Sequence, residues 1–277
     1  MTTKLAGIDP LLSRYGAFLV DQFGTLHDGT GAYPGAAAAL RRMREAGRRI
    51  VLLSNSGRPS APNAARLERM GIGPALYDLL LTSGEIGLRM MAANAVPAAR
   101  GARRCLLLER DGDGTLLDGL GLAPARPETA DLVVIAGSEG ERRTLDWYSD
   151  LLTVPAQRGV PAICLNPDRI MLTPQGLAFG AGAIAARYAE LGGEVTWIGK
   201  PYQAIYDAAL AALGDCRPAS VAGIGDSIEH DIAGARGAGC GAWLVHTGIT
   251  AGWTDDAIAT ECARFGTEPD GIIAEFA

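Results

Sequence analysis

The sequence contains little lysine, little histidine and no long apolar run. Only Lys4 and Lys200 are lysine; all other basic residues among the 25 are arginine. Lysine carries a compact point charge, whereas arginine carries a planar, delocalised one. A chain that otherwise uses arginine for its cations has placed a lysine at position 200, so we expect Lys200 to have a special role.

The chain has no basic run, and its 25 basic and 31 acidic residues give a net charge of −6. This balance argues against a nucleic-acid or anionic-membrane partner. No stretch approaches membrane-spanning length, and the N-terminus lacks the apolar segment of a secretory leader. We therefore expect a cytoplasmic protein that binds neither nucleic acids nor membranes.

The five cysteines lie far apart and none is in a CxxC pair, which excludes a zinc site or a disulfide framework of the usual spacing. We expect ordinary reduced thiols in the core. The chain has 277 residues, of which 48% are hydrophobic and 20% charged, so it can form one large or two modest globular domains.

Short apolar runs alternate with helical stretches along most of the chain. This repeated strand–loop–helix order predicts an α/β fold with a doubly wound, parallel, Rossmann-like sheet. Residues 85–193 continue the rhythm but look like a separate α/β unit. We therefore expect a core domain of residues 1–84 and 194–277, interrupted by a second domain of residues 85–193.

Polar residues follow three of the predicted strands. Asp21, Ser54 and Asp226 stand at strand ends, Asp231 follows a short turn later, and Lys200 precedes a helix. In an open α/β sheet the carboxyl ends of the strands face the ligand, which favours a functional site here. Each residue also has a structural alternative, because acidic and hydroxyl side chains cap helices and turns and lysines are usually solvated.

These residues occur in four segments, in the order VDQFGTL, LLSNSG, GKPYQAIYDAAL and GIGDSIEHD. The series resembles the four motifs of the haloacid dehalogenase superfamily, and the resemblance covers nearly the whole chain. It implies a Mg²⁺-dependent phosphohydrolase that acts on a small phosphorylated metabolite through an aspartyl-phosphate intermediate. The position of the insertion is similar to the class IIA cap of the p-nitrophenylphosphatase, nucleotide-monophosphatase and pyridoxal-phosphate phosphatase branch. From the resemblance to that branch we also expect a homodimer that forms through the cap.

The resemblance assigns the nucleophile and the metal ligands. Asp21 would attack phosphorus, and Asp21, Asp226 and Asp231 would offer the hard oxygen ligands that Mg²⁺ prefers. The backbone carbonyl of Phe23 would complete the protein ligands.

The resemblance also assigns the groups that hold the substrate. The Ser54 hydroxyl, the Asn55 backbone N–H and Lys200 would hold the phosphoryl group, and Lys200 would also steady the nucleophile. Asn166 and Asp168 resemble a loop of the class IIA cap and are candidate specificity residues. Their alternative role is an Asx turn around Pro167.

Phe23 departs from the family pattern. The usual phosphatase has a second Asp at this position, which protonates the leaving group, and losing such a group costs about 10² to 10⁴ in rate. An aromatic residue here resembles both the metal-independent dehalogenases and a subgroup of the class IIA branch. Two alternatives therefore stay open: a dehalogenase-type hydrolase, and a catalytically weak protein that binds a phosphorylated ligand.

The missing acid also leaves two hypotheses within the phosphatase interpretation. His27, four residues after Phe23, either replaces the acid or is a hydrogen-bonded structural histidine. Alternatively, no replacement is needed because the substrate has a good leaving group, such as an aryl, enol or acyl phosphate.

The segment DGDGTL that begins at Asp111 matches the common form of the nucleophile motif better than Asp21 does. Glu109 and Arg110 separate it from the preceding apolar run, so its acids would not stand at a strand tip. We predict a glycine-rich surface turn there.

Overall fold

The computed structural model describes residues 3–112, 114–173 and 176–277. Three residues that belong to segments discussed above lie outside these described residues: Asp113 of the DGDGTL segment, and Met1 and Thr2 of the N-terminus. The strands are β1 Thr3–Leu5, β2 Ala17–Asp21, β3 Arg49–Ser54, β4 Leu79–Thr82, β5 Arg104–Leu108, β6 Ala123–Pro124, β7 Leu132–Ile135, β8 Ala162–Cys164, β9 Ile170–Thr173, β10 Gly176–Phe179, β11 Val195–Trp197, β12 Val221–Gly225, β13 Gly241–Val245 and β14 Gly271–Ile273. The α-helices are α1 Asp9–Leu12, α2 Ala36–Glu45, α3 Ser60–Arg69, α4 Ser83–Ala92, α5 Leu145–Gln157, α6 Ala181–Glu190, α7 Gln203–Ala212, α8 Ala233–Gly237 and α9 Asp255–Phe265.

One compact unit, hereafter the core unit, comprises the chain up to Ser54 together with Ser60–Leu81 and Lys200–Ala277. Its described residues form a seven-stranded sheet in the order β1-β14-β13-β12-β2-β3-β4. The pairings of β2 with β12 and β3 are parallel, as are those that join β12, β13, β14 and β1. All residues of β2 are buried, which explains its continuous apolar sequence.

Apolar side chains of alternate strand residues fill the interior of the core unit. Phe18 and Val20 of β2 lie in one cluster with Leu52 of β3, Ile224 of β12 and Trp243 of β13. Burying side chains of this size stabilises the fold by about 1.5–3 kcal/mol each. The central strands are therefore a rigid base for the polar residues that follow them.

The second compact unit, hereafter the inserted unit, comprises Asn55–Pro59 and Thr82–Gly199. Its described residues form a parallel sheet in the order β11-β8-β7-β5-β6 and an antiparallel hairpin of β9 and β10. It has its own apolar core. Helix α5 begins at Leu145 because the Thr144 hydroxyl accepts the N–H of Trp147 and caps the helix there.

The two parallel sheets with helices between their strands confirm the predicted doubly wound α/β fold. A π-helical turn, Ile228–Ile232, follows Asp226 and leads into the short α8. The pattern of apolar runs and helical stretches does not predict β1, α4, the β9–β10 hairpin, α9 or β14. Within the described residues, no helix combines the length and apolar character needed to cross a bilayer.

Candidate active site

Three neighbouring strands bring polar residues to one edge of the core sheet. Asp21 is the last residue of β2, and Ser54 is the last residue of β3. The register pairs Asp21 with Leu53, the residue before Ser54, and pairs Val20 with Ile224 of β12. Asp226 directly follows β12. These strand ends therefore lie side by side, as the sequence predicts.

Lys200 links two of the acidic residues. Its Nζ donates to Asp21 Oδ1 at 2.5 Å and to Asp231 Oδ1 at 2.6 Å. Only 3% of the residue is exposed. A buried lysine between two carboxylates is not a solvated surface lysine, so the structure rules out that alternative.

Asp226 and Asp231 are each held by a backbone N–H group. Asp226 Oδ2 accepts the N–H of Ile249 at 2.7 Å, and Asp231 Oδ2 accepts the N–H of Ser227 at 3.0 Å. The Ser227 hydroxyl caps the π-helical turn by accepting the N–H of His230. Asp226 is therefore not the cap of this turn, and Asp231 is fixed by its first residues.

The three carboxylates form a buried cluster. Asp21, Asp226 and Asp231 each offer an oxygen atom, and these atoms lie within 4.8 Å of one another. Hard oxygen donors at such separations suit a divalent cation. When the three acids are ionised, one lysine does not balance their charge, and a cation would offset the excess.

The electrostatics reflect this crowding. Burial, opposed by Lys200 but reinforced by Asp231, raises the pKa of Asp21 to about 7. Burial and the neighbouring carboxylates of Asp21 and Asp231 raise the pKa of Asp226 well above its ordinary value. Burial alone would lower the pKa of Lys200, but the Asp21 and Asp231 carboxylates raise it well above its ordinary value. Lys200 therefore stays charged at neutral pH.

Two glycines let the chain approach the acids closely. Gly24 has φ +86° and Gly248 has φ +54°, and a Cβ at either position would collide with the Asp226 carboxylate. The Thr247 hydroxyl donates to the Gly24 carbonyl at 2.5 Å and joins the two loops. Glycine is the usual residue at a positive φ, so a turn at Gly24 can be expected from the sequence alone. The contact of Gly24 with Asp226 cannot, because it joins two distant parts of the chain.

Phe23 has a partly exposed side chain that packs against His27. The residue is 39% exposed, and its ring meets the imidazole edge-to-face, with the ring centroids 5.4 Å apart. His27 Nδ1 accepts the N–H of Gly29 at 3.1 Å. Burial, aided by the charge of Arg66, lowers the pKa of His27 to about 4. These contacts favour the structural role of His27, and its acid–base role stays a prediction.

Two further polar side chains beside Phe23 are buried. Within the described part of the chain, Gln22 Nε2 and Thr25 Oγ1 have no hydrogen-bond partner. Buried polar atoms without a partner are uncommon in proteins and call for a specific explanation, such as water or a ligand. Gln22 and Thr25 are close in sequence to Asp21, the candidate nucleophile, so their loop suits the binding of water or a ligand.

The remaining candidate residues belong to the inserted unit. Asn166 Oδ1 accepts the N–H of Asp168 at 3.0 Å, which is the Asx turn that the sequence allows around Pro167. Asn55 Nδ2 donates to Asp168 Oδ1 at 2.7 Å. The specificity roles of Asn166 and Asp168, and the phosphate-binding role of Asn55, stay predictions.

The described residues of the DGDGTL segment, the alternative nucleophile motif, lie in surroundings unlike those of Asp21. Asp111 has φ +48°, and its half-exposed carboxylate pairs with Arg142 at 2.7 Å. Glu109 Oε1 accepts the N–H of Gly114. This is the geometry of a surface turn, and Asp113 lies outside the described residues.

Two family models match the chain. A haloacid dehalogenase-like hydrolase model matches residues 18–123, and a HAD-hydrolase-like model matches residues 197–276. The first match contains Asp21 and Ser54, and the second contains Lys200, Asp226 and Asp231. The two matches flank most of the inserted unit.

Several characterised or named proteins are similar over most of their length. The D-glycerol 3-phosphate phosphatase of Mycobacterium tuberculosis is 29% identical over 92% of this chain and 69% of its own. The human haloacid dehalogenase-like hydrolase domain-containing protein 2 is 31% identical over 84% of each chain. The sugar-phosphatase AraL of Bacillus subtilis is 33% identical over 83% of this chain and 82% of its own.

Solved structures agree with these relatives. A haloacid dehalogenase-like hydrolase from Brucella suis has a TM-score of 0.85 and 29% identity over 98% of this chain and 99% of its own. The p-nitrophenyl phosphatase of Archaeoglobus fulgidus has a TM-score of 0.74 and 25% identity, over 95% and 97%. A glycerol phosphate phosphatase from Mycobacterium tuberculosis, solved with calcium, has a TM-score of 0.72 and 26% identity, over 96% and 75%.

These matches confirm the predicted superfamily and the p-nitrophenylphosphatase branch. Membership of the subgroup that has an aromatic residue at position 23 stays a prediction. The human and the Bacillus subtilis relatives both exceed 30% identity over more than four-fifths of their length. The site residues of the core unit lie in the matched segments. The chain therefore belongs to the haloacid dehalogenase-like hydrolases, as the order of its four sequence segments predicts.

Proposed function

We propose that this protein is a Mg²⁺-dependent phosphatase of a small phosphorylated metabolite and that Asp21 is its nucleophile. The observation that carries the proposal is the buried cluster of Asp21, Asp226 and Asp231 with Lys200 bridging two of its members. Relatives named as glycerol-phosphate, sugar-phosphate and nitrophenyl phosphatases support the same reaction class.

The cluster fits a hard divalent cation, because its donors are carboxylate oxygens and its negative charge exceeds that of one lysine. Asp21, Asp226, Asp231 and the carbonyl oxygen of Phe23 would hold it. When bound, Mg²⁺ would offset the charge of the phosphoryl oxygens and of the carboxylates. The choice of Mg²⁺ over another divalent cation is part of the proposal.

Lys200 prepares Asp21 for attack on phosphorus. Its ammonium group fixes one carboxylate oxygen of Asp21 and favours the ionised form, which is the nucleophilic one. Asp21 then forms a bond to phosphorus as the bond to the ester oxygen breaks. Water hydrolyses the aspartyl-phosphate, which releases phosphate and restores the carboxylate. Ser54, the Asn55 N–H and Lys200 would hold the phosphoryl oxygens during both steps.

Phe23 offers no proton to the leaving group. His27 is buried and its pKa of about 4 leaves it neutral near pH 7, so it supplies no ready proton either. We therefore favour substrates whose alcohol or enol leaves without one. The His27 acid role remains open to test by its substitution.

The cluster also favours a phosphatase over a dehalogenase. Dehalogenases with an aromatic residue after the nucleophile work without metal, and such an enzyme has no need of three buried carboxylates that require charge compensation. A catalytically weak protein that binds a phosphorylated ligand is the other outcome of the test below. The division into a core of residues 1–84 and 194–277 and a cap of residues 85–193, the homodimer and the cytoplasmic location stay predictions.

Phosphate release tests the proposal. Wild type, Asp21→Asn and the matched surface variant Asp111→Asn would be incubated with aryl phosphates, glycerol 3-phosphate and sugar phosphates, with and without Mg²⁺. We expect Mg²⁺-dependent release that Asp21→Asn abolishes and Asp111→Asn leaves unchanged. Release that is equal in Asp21→Asn and wild type would refute the role of Asp21. Metal binding without release from any substrate would favour the ligand-binding alternative.

A further inference from the structure

The core unit exposes few large apolar side chains, and each belongs to a residue that is close in sequence, or hydrogen-bonded through its backbone, to a residue of the carboxylate cluster or to Lys200. Among its described residues, the exposed ones are Phe23, Tyr202 and Ile249. Phe23 and Tyr202 each follow a site residue, Asp21 and Lys200, by two positions, and the N–H of Ile249 binds a third site residue. Single exposed apolar residues need no explanation, but several around one polar site indicate a contact surface.

Phe23 and Ile249 lie on two loops that are bound to each other. The Thr247 hydroxyl donates to the Gly24 carbonyl, and a Cβ on Gly248 would lie 2.5 Å from Gly24 Cα. Both loops also contact the Asp226 carboxylate. Phe23 and Ile249 therefore lie on two neighbouring loops that both contact Asp226.

The Phe23 ring packs against neighbouring residues that hold it in place. His27 packs against it edge-to-face, and a Cβ at Gly29 would lie 2.9 Å from the ring atom Cε2. The carbonyl of Gly29 accepts a hydrogen bond from Arg66 Nη2 at 3.0 Å, which fixes this loop to α3. A supported ring loses little conformational freedom when it binds a ligand, which favours binding.

Ile249 combines a fixed backbone with an exposed side chain. Its N–H is bound to Asp226 Oδ2, while 57% of the residue is exposed. The apolar side chain offers no ligand to a metal ion or a phosphate group. It can contact the part of a substrate that does not react.

We propose that Phe23 and Ile249 form an apolar surface that recognises the ester group of the substrate and selects aryl or enol phosphate monoesters over polyol phosphates. This inference rests on the proposed phosphatase function. Apolar contact favours a planar, weakly polar group. The same group leaves as a stabilised oxyanion when its bond to phosphorus breaks, and it takes its proton from solvent. One phenyl side chain at position 23 thus accounts for both the missing acid and the apolar surface.

Binding of two phosphonates tests the recognition directly. Calorimetry would compare benzylphosphonate with methylphosphonate on the Mg²⁺-loaded full chain, for wild type, Phe23→Ser and Ile249→Ser. Ile170→Ser and Trp147→Ser, which change exposed apolar residues of the inserted unit, are the matched controls. We expect each core-unit variant to bind benzylphosphonate about tenfold more weakly, as for the loss of an apolar contact in a binding pocket. Methylphosphonate affinity should stay the same in Ile249→Ser and in both control variants as in wild type.

Turnover gives the second measurement. Benzyl phosphate and glycerol 3-phosphate both have poor leaving groups, so their kcat/KM ratio isolates apolar recognition from leaving-group chemistry. We expect the ratio to favour benzyl phosphate in wild type and to fall about tenfold in Ile249→Ser. Equal weakening of both phosphonates, or no weakening, would overturn the inference. If wild type releases no phosphate from any ester, the proposed function fails, while the phosphonate comparison still decides whether the apolar surface exists.

Discussion

The ammonium group of Lys200 lies between the carboxylates of Asp21 and Asp231 and donates a hydrogen bond to each. Asp21 ends a central strand, Asp231 lies on a π-helical turn, and Lys200 precedes α7. One buried cation thus joins three elements that are distant in the sequence. This contact orients the nucleophile and partly offsets the charge of the acidic cluster.

Replacing Lys200 with Met should impair both stability and activity. The substitution keeps the length of the side chain but leaves two buried carboxylates without their cation, which costs about 3–5 kcal/mol in the free energy of unfolding. Urea unfolding without metal measures this loss, and phosphate release should fall by about 10² or more. Lys4, the other lysine, pairs with Asp255 at the surface, so Lys4→Met should change stability by less than about 1 kcal/mol. Equal effects of the two substitutions would contradict the bridging role.

Gly24→Ala should weaken metal binding. The new Cβ would meet the Asp226 carboxylate and displace it from the cluster, so the Mg²⁺ concentration for half-maximal phosphate release should rise about tenfold to a hundredfold. Gly47 has φ +71° but nothing near its missing Cβ, so Gly47→Ala isolates the backbone strain, about 1 kcal/mol. Unchanged Mg²⁺ dependence in Gly24→Ala would show that the close approach has no functional importance.

Phe23→Asp should restore a general acid. Turnover of phosphates with poor leaving groups should rise relative to that of aryl phosphates, by about 10² if the new carboxyl protonates the leaving group. Phe23→Asn matches the size without the acidic proton and should not show this effect. The slope of log kcat/KM against leaving-group pKa is the measurement. A slope that Phe23→Asp leaves as steep as in wild type would mean that another group already acts as the acid.

His27 should make stability depend on pH. Burial and Arg66 lower its pKa from 6.5 to about 4, so between these values the unfolded chain binds more protons than the folded one. Stability is therefore lost as the pH falls from 6.5 towards 4. Between pH 7 and pH 5 the free energy of unfolding of wild type should decrease by about 2 kcal/mol more than that of His27→Asn. Parallel curves from urea unfolding would argue against a buried neutral histidine.

The same variant tests the acid–base hypothesis for His27. If the histidine is only structural, His27→Asn should leave the dependence of kcat/KM on leaving-group pKa unchanged. A selective loss with poor leaving groups would assign it the acid role after all.

The parts of the site that follow buried strands could be predicted from the sequence, because an apolar run that ends in a polar residue is a local signal. Asp21, Ser54 and Asp226 are of this kind. The loop around Gly248 could not be predicted, because its importance lies in contacts with Gly24 and Asp226, far away in the sequence.

Local signals also limited the prediction of secondary structure. Ser227 caps a π-helical turn where acidic and apolar residues alone suggest an ordinary helix. The short edge strand β1 pairs with the short strand β14 through residues from opposite ends of the chain. Such pairing depends on tertiary contacts more than on residue preference.

Detection of a phosphorylated Asp21 tests the central claim most directly. Wild type, Asp21→Asn and Asp111→Asn would be mixed with phenyl phosphate and Mg²⁺, quenched in acid during turnover, digested and examined by mass spectrometry. We predict a phosphoryl group on the peptide that contains Asp21 in wild type and in Asp111→Asn, and none in Asp21→Asn. Steady release of phosphate without any phosphorylated peptide, or a phosphoryl group on a different residue, would contradict the account.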